Sequence, residues 1–257
     1  MACAKISALV PECHVDSDPF RHLPALRDRV RPAQDSPLRV TPELLVSWDE
    51  RARRMGRPRH WRLSDEELEA SRRAVLGDEG ACRDLWIYGY GSLMWDPGFH
   101  FAEVRLAALP GYQRRFSYKT TLGRGSPEQP GLMLSLEPCQ GRCDGLVFRV
   151  AATDVAHESA IVWRREMIRN GYCPALLDVH TPQGGVHALV FGPNREHPDH
   201  VGELSLADTA AIIASGNGVL GSNRSYLEQL VEQLDHLGIE DRYLRTLFDC
   251  VRGLSPD

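Results

Sequence analysis

Two short stretches of the sequence carry residue types suited to chemistry. In the first, the apolar run Leu85-Trp86-Ile87-Tyr88 ends in Gly89-Tyr90-Gly91-Ser92-Leu93. Two glycines directly after a buried strand let the backbone turn sharply, approach a ligand closely and present successive N–H donors. Such donors suit a carboxylate or a developing oxyanion. The pattern has neither the Gly-Lys-Ser/Thr ending of a phosphate loop nor the Gly-x-Ser-x-Gly of a nucleophile elbow, so Ser92 has little support as a nucleophile. On spacing alone a plain tight turn is the simpler account. In the second stretch, Glu166 stands among Trp163, Met167 and Ile168. Partial desolvation by such neighbours raises a carboxyl pKa toward values useful to a general base. The competing account is an exposed Glu166 paired with Arg169, three residues on and on the same helix face. Arg164 and Arg165 are expected to point elsewhere on a helix. Taken alone, these residue types favour the ion pair.

Other candidates are weaker. Arg124-Gly125-Ser126 with Pro130-Gly131 forms a polar loop in which Arg124 could hold a substrate carboxylate through a bidentate pair, although a loop arginine is more often solvated. Gly221-Ser222-Asn223-Arg224-Ser225-Tyr226 reads as a helix cap with Tyr226 packed on the core. The cysteines (Cys3, Cys13, Cys82, Cys139, Cys143, Cys173 and Cys250) are odd in number with no Cys-x-x-Cys pair, which suits reduced thiols rather than a disulfide scaffold. Cys139 and Cys143 lack two further ligands for zinc, and Cys173 has no patterned His or Asn partner for thiol catalysis. The ten histidines show no paired ligand spacing, so no metal or nucleotide cofactor is expected.

The elements that would position these residues follow from periodicity and punctuation. Residues 1–40, rich in Pro, Arg, Asp and Ser, read as an irregular, disordered extension. Its Ile6–Val10 apolar stretch is too short for a signal peptide. Accessory helices are expected within 41–80: one from Thr41-Pro42 to about Met55, and one over 65–76 capped by Ser64 with Glu67 and stopped by Gly77. These read as an arm and not as an active site. Arginines 51, 53, 54, 57 and 59 read as a solvated face. Strand-like pieces then recur at 85–88, 103–109, 114–119, 131–136, 145–150, 175–179 and 186–191, with one helix near Thr153–Asn170 between them. Helices near 206–215, 223–237 and 240–252 close the chain. Strands, one inserted helix, then helices suit an α+β fold with a compact, mostly antiparallel sheet or barrel.

Charge divides along the same line. Residues 1–63 carry 12 Lys/Arg against 8 Asp/Glu, and the remainder carries 18 against 27, within a chain of net charge −5. That balance offers no general attraction to nucleic acid or an anionic membrane. Without a run of about 18 apolar residues no membrane span is expected, and the cytoplasm is the expected compartment.

Read in order, the motifs gain a collective meaning. Ile87-Tyr88-Gly89-Tyr90-Gly91-Ser92-Leu93-Met94-Trp95 resembles the opening motif of the ChaC family, the glutathione-specific γ-glutamylcyclotransferases. Gly111-Tyr112-Gln113-Arg114-Arg115-Phe116 is similar to that family's GYxRxF segment, and Gly123–Ser126 with Gln129-Pro130-Gly131 to its next loop. Trp163–Met167 with Gly171-Tyr172 is similar to the segment bearing its catalytic glutamate, in the bacterial form, and Gly221–Leu227 continues the likeness as GxNxxYL. The resemblance spans about Leu85 to Leu254.

It implies a small β-barrel with flanking helices in a catalytic domain over 84–254. It also implies that Glu166 is the general base and acid, and that the turn from Ile87 through Tyr88, Gly89, Tyr90, Gly91, Ser92 and Leu93, with Arg124 and Tyr226, binds the substrate. The implied partner is glutathione, cleaved to 5-oxoproline and Cys-Gly without metal or nucleotide. A cyclotransferase for other γ-glutamyl amides, or a non-catalytic ligand-binding regulator linked to cation transport, remain as alternatives.

Overall fold

Five strands of alternating or continuous apolar character close on themselves. In this computed structural model, which describes residues 18–77 and 83–254, they are β1 (Leu85–Gly89), β2 (Glu103–Thr120), β3 (Gly131–Val150), β4 (Tyr172–Thr181) and β5 (Gly184–Pro193). The barrel order is β1-β3-β2-β4-β5, antiparallel throughout except where β1 meets β5 in parallel. The α+β barrel expected from the order of elements is therefore present.

The strands are longer than the sequence suggested. Pieces 103–109 and 114–119 are one strand, as are 131–136 and 145–150, and β2 pairs with β3 along nearly its whole length. Pro110-Gly111 reads as a turn, yet it forms a register shift inside β2, with Gly111 at φ +82. A bulge absorbs the irregularity and bends the ribbon, as barrel closure requires. At Gly145 a Cβ would stand 2.4 Å from the Gly89 carbonyl oxygen, so only glycine lets β3 lie this close to the end of β1.

Helices flank the barrel. Thr41 caps α1 (Pro42–Arg54) by accepting from the Leu44 N–H, and Ser64 and Glu67 form the complete capping box of α2 (Asp65–Leu76). α3 (Val155–Glu166) ends four residues before the expected Asn170, which takes φ +57. The closing helices are α4 (Leu206–Ser215), α5 (Asn223–His236) and α6 (Arg242–Gly253); a small hairpin, β6 (Asn217–Gly218) with β7 (Gly221–Ser222), precedes α5. The core fills the barrel with Ile87, Tyr88, Phe116, Leu134, Phe148 and Leu189 and runs on beneath α5 and α6 through Leu230 and Leu247.

Residues 18–40 are irregular in backbone but tightly packed, where composition suggested a loose extension. Leu26, Val30, Ala33 and Val40 are buried, and Arg21, Arg27, Arg31 and Arg39 all reach carboxylates. A few well-placed apolar residues and paired arginines hold a segment whose average composition is polar. The Ile6–Val10 stretch, Cys3, Cys13 and Cys82 lie outside the described residues.

Candidate active site

The glycine turn and Glu166 meet at one end of the barrel. β1 delivers the turn because Ile87 and Tyr88 are wholly buried and anchor the strand; the Tyr88 hydroxyl donates to the Cys143 carbonyl at 2.6 Å. Their side chains therefore sit in the core, and Leu93 packs back onto Gly89. From Gly91 the chain passes into a single 3₁₀ turn, Ser92–Met94.

Glu166 is the last residue of α3, and its side chain is 16% exposed. Burial pushes its carboxyl pKa above the ordinary value, while the neighbouring Arg165 guanidinium pulls it down. The expected Glu166–Arg169 pair is not formed. Arg169 turns to Asp199 at 3.1 Å, and Glu166 pairs instead with Arg165, Nε to Oε1 at 3.0 Å. Adjacent residues diverge on a continuing helix, but Met167 is already the C-cap, so the helix-face rule does not reach past Glu166.

The Glu166 charge acts on three phenols: Tyr90 from the turn, Tyr172 from β4 and Tyr226 from α5. Burial first, and then the Glu166 charge, push Tyr226 up to about 12. Tyr172 is raised well above its ordinary value by the same two causes, in the same order. Tyr90 is likewise raised by burial, then by Tyr172 and Glu166. All three remain neutral hydrogen-bonding groups at physiological pH. Tyr90 donates to the Phe191 carbonyl at 3.0 Å and Tyr172 to the Leu134 carbonyl at 3.2 Å. The Ser92 backbone opposes that rise at Tyr226, and the tyrosine's hydroxyl oxygen would stand 3.0 Å from a Cβ at Gly91. A side chain at Gly91 would thus press on Tyr226.

Arg124 lies against the same tyrosine, its guanidinium 5.7 Å from the Tyr226 ring centre. It donates to Ser225 Oγ at 3.0 Å, with longer contacts to Ser222 and Gln229. Burial lowers its pKa, opposed by Tyr226 and not by any carboxylate.

The loops around Arg124 interlock through glycines. A Cβ at Gly125 would stand 2.2 Å from the Thr120 carbonyl oxygen, and one at Gly218 would stand 2.4 Å from the Gly123 carbonyl oxygen. Ser222 caps α5 as expected, and Tyr226 is a core residue that also stands beside Gly91 and Arg124.

A family model for ChaC-like proteins matches residues 85–254, more than half of the chain. The chain belongs to the ChaC-like family. The glutathione-specific gamma-glutamylcyclotransferase of Escherichia coli (strain K12) is 37% identical over 198 residues, covering 76% of this chain and 84% of that protein. Glutathione-specific gamma-glutamylcyclotransferase 1 of Rattus norvegicus is 30% identical over 185 residues, covering 70% of this chain and 83% of that protein. Among solved structures, the selenomethionine-labelled gamma-glutamylcyclotransferase specific to glutathione from yeast aligns with a TM-score of 0.62 at 23% identity. It covers 66% of this chain and 96% of its own, and the likeness is one of fold.

Within this ChaC-like chain the structure adds residues that sequence reasoning passed over. Arg114, quoted only as part of a motif, is almost wholly buried and donates to the Tyr90 carbonyl at 2.7 Å. Its signal was parity, since it stands two residues before the buried Phe116 on one strand. Arg165, expected to diverge from Glu166, instead pairs with it, because its place depends on where α3 stops.

Proposed function

We propose that this protein is a γ-glutamylcyclotransferase that cleaves glutathione to 5-oxoproline and Cys-Gly in the cytoplasm, with Glu166 as general base and acid. One observation carries the assignment of the site. The Arg165 guanidinium touches Ser92 Oγ at 2.9 Å and Glu166 at 3.0 Å, so it joins two candidate segments far apart in sequence. Membership of the ChaC-like family and the similarity to named glutathione-specific enzymes support the reaction. Among the described residues, no helix is long and apolar enough to cross a membrane.

The reaction needs what these residues offer. The α-amine of a γ-glutamyl group is an ammonium near neutral pH and has no free lone pair. Glu166, its carboxyl pushed up by burial and pulled down by the Arg165 charge, takes one ammonium proton in its ionised form. The freed amine attacks the γ-carbonyl of the same molecule and forms the ring N–C bond. Holding the chain folded for that attack contributes a share of the ~7–11 kcal/mol available to well-oriented intramolecular reactions. N–H donors of the turn at Gly89–Leu93 bind the γ-glutamyl group and face the developing oxyanion. Collapse breaks the C–N bond to cysteine, and protonated Glu166 returns its proton to the departing nitrogen. A second proton shed by the ring nitrogen completes the released ammonium, so reactant and products balance. Arg124, paired with no carboxylate among the described residues, takes a substrate carboxylate, and Tyr226 lines the same wall.

The test is 5-oxoproline release from glutathione beside γ-Glu-Ala. Turnover of glutathione is expected to exceed that of γ-Glu-Ala; the reverse order would assign the enzyme to other γ-glutamyl amides, and no turnover of either would make it a binding protein.

A further inference from the structure

The segment that follows the glycine turn is gripped from two sides. From α3, Arg165 donates to the carbonyls of Asp96 and Pro97 at 2.5 and 3.2 Å, besides its contacts with Ser92 and Glu166. Its side chain is only 8% exposed, and these four partners occupy both terminal nitrogens and Nε. From the N-terminal arm, Ser36 Oγ and Arg31 hold the two carboxylate oxygens of Asp96, at 2.5 and 3.0 Å. The Arg31 N–H also donates to the Trp95 carbonyl at 2.8 Å. Arg39 adds a brace by donating to the Gly98 carbonyl and, with both terminal nitrogens, to Glu158 on α3 itself. Gly98 fits because it has no side chain; a Cβ there would stand 3.0 Å from the Leu38 carbonyl oxygen.

These contacts form one path: arm, Asp96, Arg165, Glu166. The arm lies outside the residues matched by the family model. We propose that Arg165 is a positioning residue that orients Glu166 against Ser92, and that the arm, through Ser36 and Arg31 on Asp96, holds Arg165 in place. The inference rests on Glu166 being the base. A planar five-donor fork fits the task, because one side chain must fix a carboxylate, a hydroxyl and two carbonyls at once.

Among the described residues, the titratable groups that interact electrostatically with Glu166 are Tyr90, Tyr172 and Tyr226, all neutral, and Arg165, the charged neighbour acting on it. Removing Arg165 therefore makes the carboxylate harder to form, and the acid limb of activity moves to higher pH.

The experiment is the pH profile of kcat/KM for glutathione on the full chain, for wild type, Arg165→Lys, Arg165→Gln, the double variant Arg31→Ala/Ser36→Ala, and Glu166→Gln. Thermal denaturation and near-ultraviolet circular dichroism verify the fold of each. Arg31 is 48% exposed and Ser36 lies on the arm, so the double variant tests the path even if Arg165→Gln fails to fold. Arg165→Gln is expected to lose roughly tenfold or more at pH 7 with its acid limb displaced upward, since about 1.4 kcal/mol is tenfold. Arg165→Lys retains charge without the fork and falls between. The double variant shifts the same way by a smaller amount, with KM unchanged. An acid limb in Arg165→Gln that coincides with wild type overturns the proposal, as does a double variant with wild-type rate and profile. If Glu166→Gln is inactive while those limbs stay fixed, the base assignment stands and this inference alone fails. A Glu166→Gln variant with wild-type turnover removes both.

Discussion

Inside the barrel, the Arg114 guanidinium donates to the carbonyl of Tyr90 at 2.7 Å and so supports the glycine turn from below. The same group reaches the Asp144 carbonyl and, at 3.3 Å, the Asp241 carboxylate that caps α6. We expect Arg114→Met, which keeps the side-chain bulk, to leave the buried Tyr90 carbonyl without this donor at about 1–3 kcal/mol, with a smaller loss at the half-buried Asp144 carbonyl. Denaturant unfolding measures this loss. Unchanged stability would show that the strut bears no load.

Asn223 grips Leu132 in both directions, Oδ1 accepting from its N–H at 2.6 Å and Nδ2 donating to its carbonyl at 2.8 Å. It stands at the first position of α5, three residues before Tyr226, and so sets that tyrosine against the turn. Asn223→Ala is expected to lose about 2–4 kcal/mol of stability, because both backbone partners become unsatisfied while buried. It should also raise KM for glutathione. Wild-type values of both quantities would contradict this reading.

Much of this arrangement was legible in the sequence, and its gaps have physical causes. Local rules found the caps of α1, α2 and α5, because Thr41, Ser64 and Ser222 act on N–H groups within a few residues. The same local logic misread Pro110-Gly111 as a strand break, since a bulge is specified by the partner strand and not by the residues that form it. Arg165 was expected to point away from Glu166 and does not, because its neighbours are fixed by the end of α3 and by a segment nearly 70 residues earlier. The packed arm escaped notice because average composition does not record that each of its few apolar residues finds a place.

Arg124 tests the recognition of a substrate carboxylate. A charged hydrogen bond is worth about 1.5–3 kcal/mol, so Arg124→Ala is expected to raise KM roughly 10–100-fold. Because this contact is made equally before and during ring closure, kcat should change little. Steady-state kinetics separate the two parameters; a fall in kcat at constant KM would place Arg124 with the reacting atoms instead.

Burial of Glu166 has a sign in stability as well. Its folded-state pKa is raised, so its contribution to stability is fully present below the ordinary carboxyl value and is lost as pH rises through the folded value. Glu166→Gln avoids that loss. Its Tm should exceed that of wild type at pH 7, and the difference should shrink as pH falls below about 4. A variant less stable than wild type at pH 7 would mean that the pair with Arg165 outweighs the cost of burial.

The most direct measurement is 5-oxoproline formation from glutathione by wild type and by folded Glu166→Gln protein. The account predicts clear turnover by wild type and a loss of about 10²–10⁴-fold in the variant, the range expected for removal of a general base. Wild-type turnover by Glu166→Gln would contradict it.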